Sequence, residues 1–152
     1  RPCSCGNRGC MERYVGAKYI VQDVIEALNK GEESIITQGL ESRNDITPPL
    51  IFAAAKHGDE LCGRIVDQIV KYLGAGLTSI VNVLNPDMIV IGGGVSDAGD
   101  AFIKRIGDEV LSRVMKPVRN QLQIVRAELG NDAGIMGSAM YAMKQLTLNI
   151  EH

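Results

Sequence analysis

The sequence predicts an α/β fold that is rich in helix, with few strands and those parallel, and three observations carry that expectation. Met88 to Ile91 is a four-residue apolar run, rich in β-branched side chains and followed by Gly92, Gly93 and Gly94. A run that short, closed by glycine, reads as a strand buried on both faces. Leu122 to Leu129 is a second apolar run, interrupted by Gln123 and Arg126. Between them lies a helical pattern, and a helical crossover makes the two strands parallel. Two parallel strands are not a self-sufficient sheet, so neighbouring strands are expected upstream or from another copy.

The chain opens in a cysteine cluster. Cys3, Cys5 and Cys10 fall within eight residues, with Gly6 and Gly9 among them. This spacing makes a knuckle over residues 1–12 that turns the sulfurs towards one point. Zinc takes thiolate ligands tetrahedrally, commonly as Cys₃His or Cys₄. A disulfide is the competing reading, but three cysteines leave one over, and Cys3 and Cys5 stand too close in sequence to bridge comfortably. Metal is therefore favoured. The fourth ligand is open: Cys62 falls in a helical apolar pattern that suits a buried thiol, and His57 sits at a helix end that suits a capping cation. A ligand just upstream is the better expectation, and an opening inside the cluster without an initiator Met predicts a fragment.

Met11 to Asn29 has helical apolar spacing through Val15, Ile20, Val21, Val24, Ile25 and Leu28, with Gly31 as the stop. Glu12 stands two residues after the last thiol of the knuckle; spacing alone makes it an acid favoured by the helix dipole. Glu32 to Asp45 is polar and reads as a small helix and loop. Thr47 before Pro48 and Pro49 predicts a cap and a first turn, and Gly58 an end. Asp59 then caps a long helix with one face through Leu61, Ile65, Ile69, Leu73, Leu77, Ile80, Val81 and Leu84. Gly74 and Gly76 inside it cost stability, which points to a close backbone contact. Pro86 prevents the helix from running into the first strand.

The glycines beyond that strand sit where open α/β sheets bind ligands, although a plain tight turn is the competing reading. They are not a dinucleotide fingerprint, which would need glycine at Asp97. Phe102, Ile103, Ile106, Val110, Leu111 and Val114 mark the crossover helix, stopped before Pro117. After the second strand, Asn131 or Asp132 caps a last helix whose small face is Ala133, Gly134, Gly137, Ser138 and Ala142. Small side chains there allow close approach to a sheet or ligand.

With 152 residues the chain is long enough for one domain with a real core. Only 4% of it is aromatic, so that core rests on aliphatic residues. A formal charge of −2 supplies no global field for nucleic acid or an anionic membrane. No apolar run is long enough to span a bilayer, and no signal-peptide pattern is present. Neither nucleic acid nor membrane is an expected partner.

Three segments carry a resemblance. Cys3-Ser4-Cys5-Gly6-Asn7-Arg8-Gly9-Cys10-Met11-Glu12 resembles the C-x-C-G-x-x-G-C-x-E signature of the ROK family of sugar kinases and sugar-responsive repressors. Asn85-Pro86-Asp87 through Gly94-Val95-Ser96 resembles that family's N-P-x-x-I-V-I-G-G-G-V-S segment. Leu129 to Gly137 is similar to its closing L-G-N-x-A-G-x-x-G-A-A, with Ser138 at the first of those alanines. Within the family the segments look most like bacterial glucokinases.

The resemblance implies an actin-like, ribonuclease-H-like ATPase fold, of which residues 1–152 would be part of the carboxyl-terminal lobe. It implies a structural zinc on Cys3, Cys5, Cys10 and an upstream histidine. It makes Glu12 a sugar ligand near the anomeric hydroxyl, reversing the dipole reading. It sets Gly92, Gly93 and Gly94 against the adenosine of ATP, with Asn131 and Gly134 near the same cleft. The implied chemistry moves the γ-phosphoryl of ATP to a hexose hydroxyl with Mg²⁺ holding the phosphates. No Asp of this chain lies in a matching motif, so no catalytic residue is assigned and the fragment alone is expected inactive. Family repressors keep this lobe, and a non-enzymatic zinc-containing interaction module is a further alternative. The family also implies a homo-oligomer in the cytoplasm, where reduced thiols suit zinc.

Overall fold

A computed structural model describes residues 1–93, 96–129 and 132–150. The elements follow the chain as α1 (Glu12–Val15), α2 (Ala17–Asn29), α3 (Pro48–Lys56), α4 (Glu60–Leu84), β1 (Met88–Ile91), α5 (Asp100–Arg113), β2 (Gln123–Arg126) and α6 (Ala133–Ile150). The helix expected over Met11 to Asn29 is therefore two helices. They part at Gly16, whose ψ of 139° leaves the helical region. The polar segment 32–45 holds only two single 3₁₀ turns, Ile35–Thr37 and Arg43–Asp45.

α4 runs through the middle of the molecule, about 37 Å long at the helical rise of about 1.5 Å per residue. Leu61, Ile65, Ile69 and Val81 on its apolar face are buried, and α2, α3 and α5 pack around them. Ile80 and Leu84, expected on that face, are exposed, because the packing partners cover its amino-terminal turns more fully than its last one. Gly74 lies where α5 crosses: a Cβ there would stand 3.0 Å from Glu109 Cβ and closer still to its Cγ. The close contact expected of that glycine is present. α4 ends on Asn85 in the left-handed conformation, a cap that Asn tolerates well, and Pro86 follows.

β1 and β2 pair in parallel, Met88 opposite Gln123 and Ile91 opposite Arg126, joined by α5. The parallel pair was expected; the exposure of one face of β1 was not. Ile89 and Ile91 pack on the helical core, but Met88 and Val90 on the other face are 48% and 58% exposed. One face of the strand has no covering layer, so the expectation of burial on both faces is corrected. β2 is also shorter than the apolar run Leu122 to Leu129. It stops at Arg126 because β1, its partner, stops at Ile91. The small face of α6 faces solvent: Gly134 and Gly137 have nothing within 4 Å of a built Cβ. Among the described residues no helix is long and apolar enough to cross a membrane.

The start of α4 is held by a buried carboxylate. Asp59 Oδ1 accepts from the Cys62 N–H at 2.7 Å, while Oδ2 accepts from the Ser34 hydroxyl and the Ile35 N–H, each at 2.7 Å. Burial by itself would raise the Asp59 pKa, but these hydrogen bonds outweigh it and hold the carboxyl below its ordinary value. Such a group contributes stability above the unfolded carboxyl pKa of about 3.9, and loses it as pH falls through the folded value. Asp59→Ala is expected to cost about 2–3 kcal/mol at neutral pH, since a cap is lost and buried donors are left unpaired. The gap between native and variant should narrow in acid, as the part that rests on the ionised carboxylate is lost. Denaturant unfolding at neutral pH and below about pH 3 checks this; an equal gap at both would rule it out.

Candidate functional site

The knuckle forms as a small loop closed by backbone. The Cys3 N–H donates to the Asn7 carbonyl at 2.9 Å and the Gly6 N–H to the Cys3 carbonyl at 3.1 Å. Gly6 and Gly9 sit at φ of 89° and 79°, which glycine adopts without strain. This turns the three sulfurs inward until their ligand atoms lie within 4.8 Å of one another, with Cys5 and Cys10 Sγ 3.5 Å apart. Thiolates on tetrahedral zinc, at about 2.3 Å from the metal, stand about 3.8 Å apart, so the donor set fits that ion. The Cys5 N–H and thiol hold Cys3 down to about 7. Hydrogen bonding with Cys5 and Cys3 pushes Cys10 up to about 11.

The other two candidate ligands lie elsewhere. His57 ends α3 with Nδ1 2.8 Å from the Ala53 carbonyl, as a helix-end cap. Cys62 is wholly buried in α4, and burial first, then Asp59, pushes its thiol up to about 12. Among the described residues, neither belongs to the sulfur cluster.

The knuckle is tied to the helices behind it. The Tyr19 hydroxyl donates to Ser4 Oγ at 3.0 Å and accepts from the Ser4 N–H at 3.2 Å. The Arg13 N–H donates to the Cys10 carbonyl at 3.0 Å, so the last thiol and the first turn of α1 move together. Glu12 is the first residue of α1. Its carboxylate is exposed at a cleft of about 560 Å³ whose walls are mainly apolar: Val15, Ile20, Pro48, Pro49, Phe52, Ile69 and Ala98 among them. Lys56 is the cation of that lining. Among the described residues, no hydrogen-bond donor or cation of the protein meets the Glu12 carboxylate.

The glycine turn reaches the cleft indirectly. Gly93 sits at φ 71°, and its carbonyl accepts from both the N–H and the hydroxyl of Ser96, at 2.9 and 2.7 Å. Ser96 is fully buried, and Ala98, two residues on, lines the cleft. Gly92 and Gly93 themselves do not line it. Gly134 lies on exposed α6 away from it, and Gly94 and Asn131 fall outside the described residues. Sequence reasoning missed the walls at Pro48, Phe52 and Lys56. Pro48-Pro49 signalled only a helix start, because what α3 faces depends on residues far away in sequence.

A family model described as "ROK family" matches residues 1–145. A glucokinase of Halalkalibacterium halodurans is 35% identical over 144 residues, which cover 95% of this chain and 44% of that protein. The DNA-binding transcriptional dual regulator NagC of Escherichia coli is 30% identical over 147 residues, 97% of this chain and 34% of that protein. The chain thus spans less than half the length of these relatives. A ROK family glucokinase from Streptomyces griseus, solved in complex with glucose and AMPPNP, superposes with a TM-score of 0.78 at 29% identity. That match covers 91% of this chain and 46% of the other. The helix-rich architecture with its small parallel sheet matches sugar-kinase structures of the actin-like ATPase fold.

Proposed function

The chain belongs to the ROK family, and from that premise we propose that it forms the carboxyl-terminal lobe of an ATP-dependent hexose kinase of the glucokinase type. The observation that carries this reading is the unpartnered Glu12 carboxylate lining a cleft that Ala98, five residues beyond Gly93 of the glycine turn, also lines. A carboxylate with no protein donor is open to a sugar hydroxyl, and charge-assisted hydrogen bonds of that kind are the strong ones. The S. griseus relative holds glucose and AMPPNP, which supports a hexose and ATP as ligands here. Gly92, Gly93 and Gly94, with Asn131 and Gly134, are proposed to face the nucleotide.

Cys3, Cys5 and Cys10 would hold a structural zinc that fixes the start of α1, and so the place of Glu12. Mg²⁺, when bound with ATP, neutralises phosphate charge during phosphoryl transfer. This chain's own part is to seat and orient the sugar; no base for the reaction is assigned within it. The proposed compartment is the cytoplasm.

A second reading is favoured by the likeness to NagC over nearly the whole chain: the sugar-sensing lobe of a ROK repressor. The deciding experiment takes the full-length protein with D-glucose and Mg·ATP and follows ADP release. Turnover establishes the kinase; sugar binding without turnover, together with sugar-dependent DNA binding, establishes the repressor. In either case Glu12→Gln is expected to weaken sugar binding by about ten- to a hundredfold, the loss of a charged hydrogen-bond partner. Calorimetric titration measures it, and unaltered affinity would remove Glu12 from the site.

A further inference from the structure

We infer that Gly16 is a positioning residue for the sugar site, because its missing side chain leaves the space in which the Glu12 carboxylate lies. The inference rests on the reading of Glu12 as a sugar ligand. Gly16 has φ −70° and ψ 139°, angles that any residue adopts, so backbone freedom does not explain glycine there. Space does. A Cβ on Gly16 would stand 2.6 Å from Glu12 Cδ and 2.6 Å from the Glu12 carbonyl oxygen, and closer still to Oε1. Non-bonded carbons prefer about 3.5 Å or more, so an alanine could enter only by displacing the carboxylate or prising α1 from α2.

Both movements act on Glu12. The Gly16 N–H donates to the Glu12 carbonyl at 2.8 Å and closes α1, while the Gly16 carbonyl accepts from the Tyr19 and Ile20 N–H groups at 2.9 and 3.0 Å and opens α2. Position 16 is thus the joint between the helix that carries the carboxylate and the one that walls the cleft. Beside it lies the amino terminus of α2, where a negative group is favoured. No side chain tethers the Glu12 carboxylate, so its place is set by the room that Gly16 leaves. Glu12, Gly16, Ala17 and Ile20 all line the same cleft.

The test titrates the full-length protein calorimetrically with whichever of D-glucose, D-xylose and N-acetyl-D-glucosamine the native protein binds. Gly16→Ala is expected to weaken binding by about tenfold, and the Glu12→Gln, Gly16→Ala double variant to bind no worse than Glu12→Gln alone by more than about twofold. A merely structural role would instead add its full penalty in both backgrounds. Glu12→Asp, which draws the carboxylate back from Gly16 without touching the backbone, is expected to weaken binding by about fivefold or more, whatever happens to the folding of Gly16→Ala. Unchanged affinity in Gly16→Ala, an undiminished penalty in the double variant, or native affinity in Glu12→Asp would each overturn the inference. If Glu12→Gln itself has no effect, the reading of Glu12 fails first and the role of Gly16 falls with it.

Discussion

Replacing Cys5 by serine is expected to strip zinc from the chain and loosen residues 1–16 while leaving the helical core folded. The three sulfurs already lie within 4.8 Å of one another, a spacing that suits a single tetrahedral ion. Removing outer-shell partners of a metal site typically costs about 10–100-fold in affinity, so removing a direct ligand should cost more than about a hundredfold. Elemental analysis of the native chain should find about one zinc per chain, and the variant less than about a tenth of that. The loosening has a defined reach. Tyr19 still holds Ser4, but the Cys10 carbonyl that receives the Arg13 N–H loses its anchor, and Glu12 lies between those two residues. Hydrogen exchange should quicken in the knuckle and α1 and stay slow in α4 and α5. Sugar affinity of the full-length protein should fall with it. A native chain free of metal, with reactive thiols at all three positions, would overturn the zinc proposal.

The largest effect on stability is expected at Phe102. It is buried on α5, and its ring meets Phe52 of α3 edge-on with centroids 4.9 Å apart. Phe→Ala in a core typically costs about 3–5 kcal/mol, and an aromatic pair adds about 0.5–1.5 kcal/mol beyond area, so Phe102→Ala should sit at the upper end of that range. Leu111 on the same helix is only half-buried, and Leu111→Ala should cost less than about 2 kcal/mol. The pair also joins stability to function, since Phe52 lines the cleft that Phe102 supports from behind. Denaturant unfolding of the two variants gives the comparison; equal losses would mean that α5 is not packed as described.

Local chemistry was legible from the chain. The thiol spacing with its glycines, the Asp59 cap, the His57 helix end and the buried role of Cys62 all rest on residues within a few positions of one another, and the structure agrees on each. The parallel pairing of β1 and β2 was legible too, because a helical crossover leaves little choice of direction. The break at Gly16 was not. A helical run of apolar residues continues through it, and only the packing of α1 and α2 on α4 shows that the chain turns there. Burial of β1 was misjudged for a related reason: an apolar run states what a strand could bury, not what covers it.

The sequence by itself determined the element types, their order, the sulfur cluster and the family, since each follows from residue chemistry and short-range spacing. The tertiary structure alone decided that Pro48, Phe52, Lys56 and Ala98 share a cleft with Glu12, and that Gly16 leaves room for a carboxylate. Those are contacts between segments up to about ninety residues apart, and a pattern with a period of about 3.6 or 2 carries no information about which faces will meet.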